Sequence, residues 1–427
     1  MPYLTIITFL PLVGAIVIAL LLKRDDARSI KWVAAIFSLA TFILSLTLIF
    51  QFNTGNPQPQ FVERAAWMSV GQFKVDYFLG VDGLSLPMVI LTTLLGLLSV
   101  LISWRISLRP KEYFSLLLVL ETGVLGVFTS LDFFLFFLFW EVELVPMFLL
   151  IGIWGSGRRE YSAMKFLIYT IVGSAFMLAG ILWLYFASST HTFDMIALGQ
   201  SNVKESANII FLLLFVGFAI KLPMVPFHTW LPDAHSDAPT AVSIMLAGVL
   251  LKMGGYGIIR ICVTILPDAA KYFAPMLLIL AVIGVLYGAA VTLVQKDLKR
   301  LIAYSSVSHM GYVLLGVFAL TKIGLAGAIL QMFTHDTITG LLFMMVGLVY
   351  DRTHTRQIPE LIGGLAKRMP VIAIVFTIAG LASLGLPALS GFVAELLEFF
   401  GNYESSPLMA ILGASGIVLT AGYILWL

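Results

Sequence analysis

The sequence predicts an all-α membrane protein, a polytopic bundle of helices. Composition is the first observation behind this. Of the 427 residues 60% are hydrophobic and 11% charged, against about 25% charged in soluble domains. The second is that apolar segments long enough to cross a bilayer as helices recur from one end of the chain to the other. The third is that no alternating strand pattern appears. Lipid offers backbone groups no partners, so every span must be helical.

Thirteen spans are read in order: 2–22, 32–51, 82–104, 113–129, 131–153, 165–187, 208–230, 240–262, 272–294, 301–320, 323–349, 370–400 and 407–427. The first lacks a basic leading region and an A-x-A-like site, so it reads as a span and not a cleaved signal. Loop charge sets the orientation. Seventeen of the 25 lysines and arginines fall in alternate loops, beginning with Lys23, Arg24, Arg28 and Lys31. Five fall in the opposite set (Arg64, Lys74, Lys204, Lys271, Lys322), and Lys221, Lys252 and Arg260 lie inside spans. The basic loops are therefore cytoplasmic, with Met1 on the far side. The last apolar run reaches Leu427 with no polar flank, so a helix would stop inside hydrocarbon with its last carbonyls unsatisfied. The expectation is a truncated C-terminus.

Several function classes are excluded. The net charge is +2 and no basic patch suggests nucleic acid. One cysteine, Cys262 in an apolar run, rules out a disulfide framework and a Cys-ligated metal or iron–sulfur cluster within this chain. It reads as a small buried hydrophobe. No GxGxxG motif follows a strand.

The chain is organised around the stretch from Phe218 to His235. Lys221 ends an apolar run, and Pro223 and Pro226 follow at once. Proline removes a backbone donor and clashes with the preceding turn, so the helix must break. A lysine at a bilayer centre costs about 2.5–3.5 kcal/mol on insertion scales, and such a residue is a functional-site hypothesis by default. The twelfth span is broken too, at Gly385, Pro387 and Gly391, with Glu395 beside the break. Five spans separate the two breaks, so two repeats would lie inverted, and paired interrupted helices point to a transporter's ion path. The reading is one transmembrane domain over 1–427: N-terminal helices 1–112, a first inverted repeat 113–262 and a second 272–427.

Other ionisable residues lie within spans: Glu121, Glu141, Glu143, His228, Lys252, His309, His335, Asp336, Glu395 and Glu398. Glu141 and Glu143 are two residues apart, a rotation of about 200°, and so point to opposite faces. Glu395 and Glu398, three apart, share a face. Burial and nearby charge bring carboxylates, lysines and imidazoles towards working pH, which suits a proton relay. A Glu141–Lys221 pair that forms and separates would switch Lys221 between holding and releasing a proton.

Each residue has a plainer alternative. Lys221 could be a structural ion-pair partner, and Lys252 could snorkel towards an interface. Glu143 and Glu398 could be interfacial or structural. His228 could cap backbone groups near the break, and His309 and His335 could be satisfied core histidines. Asp233, His235 and Asp237 have metal-ligand types but surround a Pro-rich turn.

The motifs at Phe139–Pro146, Lys221–His235, Leu246–Lys252 and Ser305–Gly311 resemble the antiporter-like subunits of respiratory complex I, over essentially the whole chain. The superfamily also includes multi-subunit sodium/proton antiporters and membrane-bound hydrogenases. Glu395 points to the subunit M (chain 4) type, since related subunits usually carry lysine there. The resemblance implies fourteen helices, thirteen of them visible here, with inverted five-helix repeats broken at helices 7 and 12. It implies a proton relay of Glu141, Lys221, Lys252, His309, His335 and Glu395 in an NADH (or ferredoxin):quinone oxidoreductase. His228, Glu143 and Glu398 are secondary candidates. It implies no cofactor or metal in this chain, with flavin and iron–sulfur clusters in partner subunits. Partners would be neighbouring membrane-arm subunits and the bilayer. The location would be the bacterial plasma membrane, or a thylakoid or other energy-converting membrane. The alternatives are a sodium/proton antiporter or hydrogenase subunit, and a scaffold subunit that conducts nothing.

Overall fold

The computed structural model describes residues 2–71, 73–201, 203, 206–361 and 363–427. Met1 and Lys204, used in the orientation reading, lie outside the described residues. The chain divides into two compact units. One holds the chain to Gly155 with Arg159–Phe218 and Tyr256–Ala269; the other holds Ser156–Arg158, Ala219–Gly255 and Ala270–Leu427.

The first unit is built on helices α1 (Tyr3–Leu21), α2 (Ala27–Gln51), α3 (Ser85–Ile102), α4 (Pro110–Thr129), α5 (Phe133–Val142), α6 (Leu144–Trp154) and α7 (Arg159–Ala187). A short α8 (Met195–Gln200) follows. Helix α9 (Ala207–Lys221) belongs to it as far as Phe218. Asp132 caps α5 by accepting from the amides of Phe134 and Leu135. Arg260 reaches back to Asp82 at 2.6 Å.

The first unit also corrects the expectation that no strand pattern is present. Gln60–Val70 (β1) and Phe73–Val81 (β2) pair antiparallel, with Gly71 at φ 60° supplying the turn. Strands are permitted here because the segment lies between spans, where edge groups reach water. Glu63 of β1 accepts from the amides of Leu4 at 2.7 Å and Thr5 at 3.1 Å. It thereby satisfies donors that the start of α1 leaves open.

Apart from Ser156–Arg158, the second unit begins at Ala219, near the end of α9. The chain leaves the helix at Lys221, turns tightly through Phe227–Thr229, and resumes as α10 (Trp230–Asp237). The break is where the prolines place it. Its freed carbonyls are re-used: Ile220 O accepts from Trp230 Nε1 at 2.9 Å, and Ala219 O from Met224 N at 3.0 Å. Then come α11 (Thr240–Met245), a wide π-type turn over Leu246–Leu250, and α12 (Leu251–Gly257), which carries Lys252. Helices α13 (Pro267–Leu293), α14 (Leu298–Phe318) and α15 (Lys322–Thr353) are long and apolar. A short α16 (Leu365–Arg368) precedes α17 (Pro370–Ser383). The chain breaks again before α18 (Ser390–Ser405), and α19 (Pro407–Trp426) closes the unit. Helix α15 packs against α14, α17 and α18.

Among the described residues eleven helical segments are long and apolar enough to cross a membrane, with Phe133–Trp154 and Thr240–Val263 each counted as one. The two other expected spans are the interrupted ones, whose apolar parts Ala207–Lys221 and Pro370–Ser383 are shorter.

Candidate functional site

Polar side chains in the second unit converge on Lys252. It is fully buried. Its Nζ donates to Ala247 O at 2.7 Å and lies 2.8 Å from His335 Nδ1. It also forms an ion pair with Asp336, itself fully buried. Ala247 lies within the π-type turn. Such turns leave carbonyls off the regular helical ladder and recur at functional sites. This removes the snorkelling alternative, because the ammonium ends among buried partners.

From His335 the chain of polar groups continues. Its ring centroid is 5.3 Å from that of His309. His309 Nδ1 is 2.7 Å from Ser305 O, and its Nε2 is 3.0 Å from Ser383 O. A neutral imidazole has one N–H and satisfies one of these carbonyls; the cation satisfies both. His309 can therefore accept a proton without losing a partner. Ser383 is the last residue of α17, so the histidine bonds a carbonyl freed by the second helix break. Glu395 Oε1 lies 4.0 Å from His309 Nε2. A cavity of about 10 Å³ lined by His309, Gln331, His335, Ser383, Gly391 and Glu395 lies between these groups. That is room for about one water molecule.

Glu395 rests over the break itself. Gly385 has φ 74°, and a Cβ there would fall against the Glu395 carboxyl group, 3.1 Å from its Cδ. A glycine is therefore needed for both conformation and space. One turn on, Glu398 is fully buried, and neither carboxyl oxygen has a hydrogen-bond partner among the described residues.

The remaining expected residues fall elsewhere. Lys221 is buried at the end of α9, and His228 is buried with its ring 5.1 Å from that of Tyr287. Both are in the second unit; Glu141 and Glu143 are in the first. Glu141 is half-buried and Glu143 fully buried, at the interruption between α5 and α6. Their unequal exposure fits opposite helix faces. Glu121 is buried with Ser38 Oγ donating at 3.5 Å. Asp233 pairs with Arg300 at 3.2 Å, and the His235 ring stacks on Phe343 at 4.6 Å. Among the described residues no group of three or more His, Cys, Asp or Glu side chains is placed to hold a metal ion.

Comparison with known proteins shows the family of the chain. Residues 130–420 match the family model for the NADH:quinone oxidoreductase/Mrp antiporter transmembrane region. NADH-quinone oxidoreductase subunit M of Rhodobacter capsulatus is 44% identical over 439 residues, covering 99% of this chain and 85% of its own length. The chain belongs to the subunit M (chain 4) family of NADH-quinone oxidoreductases. NAD(P)H-quinone oxidoreductase chain 4 of Gloeobacter violaceus is 43% identical, covering 99% of this chain and 81% of itself. A chain of respiratory complex I from Thermus thermophilus superposes with a TM-score of 0.90 at 32% identity, covering 99% of this chain and 87% of that one. A chain of an archaeal membrane-bound sulfane sulfur reductase shares the fold, with a TM-score of 0.89 at 23% identity.

Asp336, one of the ionisable residues within spans, gains its role only from the pairing with Lys252. It stands next to His335, about 100° further round α15. An acid inside a span was visible, but its pairing with Lys252 was not. Their separation of 84 positions gives no periodicity to follow.

Proposed function

We propose that this chain is a proton-translocating membrane-arm subunit of an NADH (or ferredoxin):quinone oxidoreductase. The observation that carries the reading is the buried series Lys252, His335, His309 and Glu395, at hydrogen-bond or single-water spacing. Protons would enter at Lys221, pass to Lys252, cross the two histidines and reach Glu395. Glu141, half-buried on α5, would meet a neighbouring membrane-arm subunit and modulate Lys221. His228, beside the break, and Glu143 would support the entry. Residues 113–262 and 272–427 would form inverted repeats, one around each broken helix.

Redox chemistry, with its flavin and iron–sulfur clusters, would reside in partner subunits and drive the relay by changing charge along it. This chain would hold no cofactor of its own. Its bacterial relatives support a place in the plasma membrane. The sodium/proton antiporter alternative is favoured less, because the high-coverage relatives above carry quinone oxidoreductase names.

The test uses the intact complex in proteoliposomes. Lys221→Ala and Glu141→Ala should each lower coupled quinone reduction and proton uptake severalfold, at unchanged complex content. Wild-type values for both variants would refute the relay. Sodium-dependent exchange without an electron donor would favour the antiporter.

A further inference from the structure

We propose that Glu398 and Asn402 form the exit segment of the path, carrying protons from Glu395 to the far face of the membrane. This rests on the relay reading above and extends it past Glu395, giving a specific role to Glu398, a secondary candidate in the sequence, and adding Asn402.

Glu395, Glu398 and Asn402 are spaced three and then four apart on α18, so they lie in one row along one helix face. All three are buried, the last two completely. The stem of Glu398 runs between two glycines of neighbouring helices. A Cβ on Gly316 of α14, or on Gly327 of α15, would come within 2.9 Å of its Cγ. Both carboxyl oxygens lack a hydrogen-bond partner among the described residues. Leaving a buried polar group unmade costs about 1–3 kcal/mol, and more when it is charged. A residue spacing-matched to Glu395 and held at that cost has the marks of a working group.

Asn402 lies one turn further on. Its Nδ2 donates to Glu398 O and to Leu315 O, both at 2.9 Å, while its buried Oδ1 has no partner among the described residues. With its two N–H groups fixed on carbonyl acceptors, the amide keeps one unused acceptor, which can orient a water. The row also runs the right way. Thr321, in the turn between α14 and α15, donates to Gly401 O at 3.2 Å. That turn belongs to the sparsely charged loops, opposite the basic face that holds Arg352, Arg356, Lys367 and Arg368.

The step balances without a co-reactant. An O–H bond on Glu395 breaks as one forms on Glu398, leaving the first carboxylate free to take the next proton from His309. Glu398 then releases its proton to water held at Asn402 and returns to its starting state.

The test reconstitutes the intact complex and measures proton release to the far side alongside electron transfer. Glu398→Gln, which keeps size but cannot cycle a proton, should lower release at least fivefold, with Glu398→Asp recovering most of it. Asn402→Leu should lower it severalfold. Glu395→Gln is the reference. If it stops release while Glu398→Gln releases at the wild-type rate, the exit proposal is overturned and the relay stands. If both variants match wild type, the relay itself is wrong. Should Glu398→Gln fail to assemble, Asn402→Leu decides, and a wild-type rate there overturns the proposal.

Discussion

Replacing Asp336 with asparagine tests the centre of the site. The change keeps the volume and removes one charge from a pair in which both side chains are fully inaccessible. Lys252 would keep Ala247 O and His335 as partners, both uncharged when the ring is neutral. Removing one member of a buried ion pair costs about 3–5 kcal/mol, because the other charge is left uncompensated. At 1.4 kcal/mol per tenfold, that is roughly two to three and a half orders of magnitude in the population of the charged arrangement. A relay that passes through this arrangement must slow accordingly. The assay is NADH:quinone reductase activity of the intact complex, with and without uncoupler, together with proton uptake. Asp336→Asn should reduce proton uptake at least tenfold. A variant that assembles and pumps at the wild-type rate would show that Asp336 does not hold the charge on Lys252.

Two further predictions concern the breaks and caps around the site. Gly385→Ala places a Cβ against the Glu395 carboxyl at φ 74°, a conformation costing about 1–2 kcal/mol for a residue with a side chain. It should move Glu395 from His309 and lower proton uptake severalfold with the complex still assembled; unchanged uptake would mean the contact is idle. Asp132 accepts from the amides of Phe134 and Leu135 at the start of α5. Asp132→Ala removes that cap and should cost about 0.5–2 kcal/mol, read as a lower thermal midpoint of the purified complex. An unchanged midpoint would contradict the assignment.

Much of the helical architecture was legible because hydrocarbon imposes it: apolar length, the two prolines after Lys221 and the glycines before Glu395 each translate directly into backbone. The hairpin leaves no such trace in the sequence, because its strands lie between spans, where that rule is silent. Its local signal, β-formers flanking Gly71, is weak beside the spans. Single residues of the site were visible as costly charges, since burial of any one of them needs a reason. Their pairings were not. His335 meets Lys252, and His309 meets the end of α17, through packing of α14, α15 and α18 that no sequence period encodes. The wide turn that aims Ala247 O at Lys252 left no mark either, since its residues are ordinary apolar ones.

The measurement that bears most directly on the relay uses Lys252→Met with Asp336→Leu in the intact complex. Replacing both members of a buried pair with apolar groups is often neutral for stability, so the complex should assemble normally. Proton translocation driven by the electron donor in proteoliposomes should then fall at least tenfold. Translocation at the wild-type rate in the assembled double variant would contradict a path through Lys252.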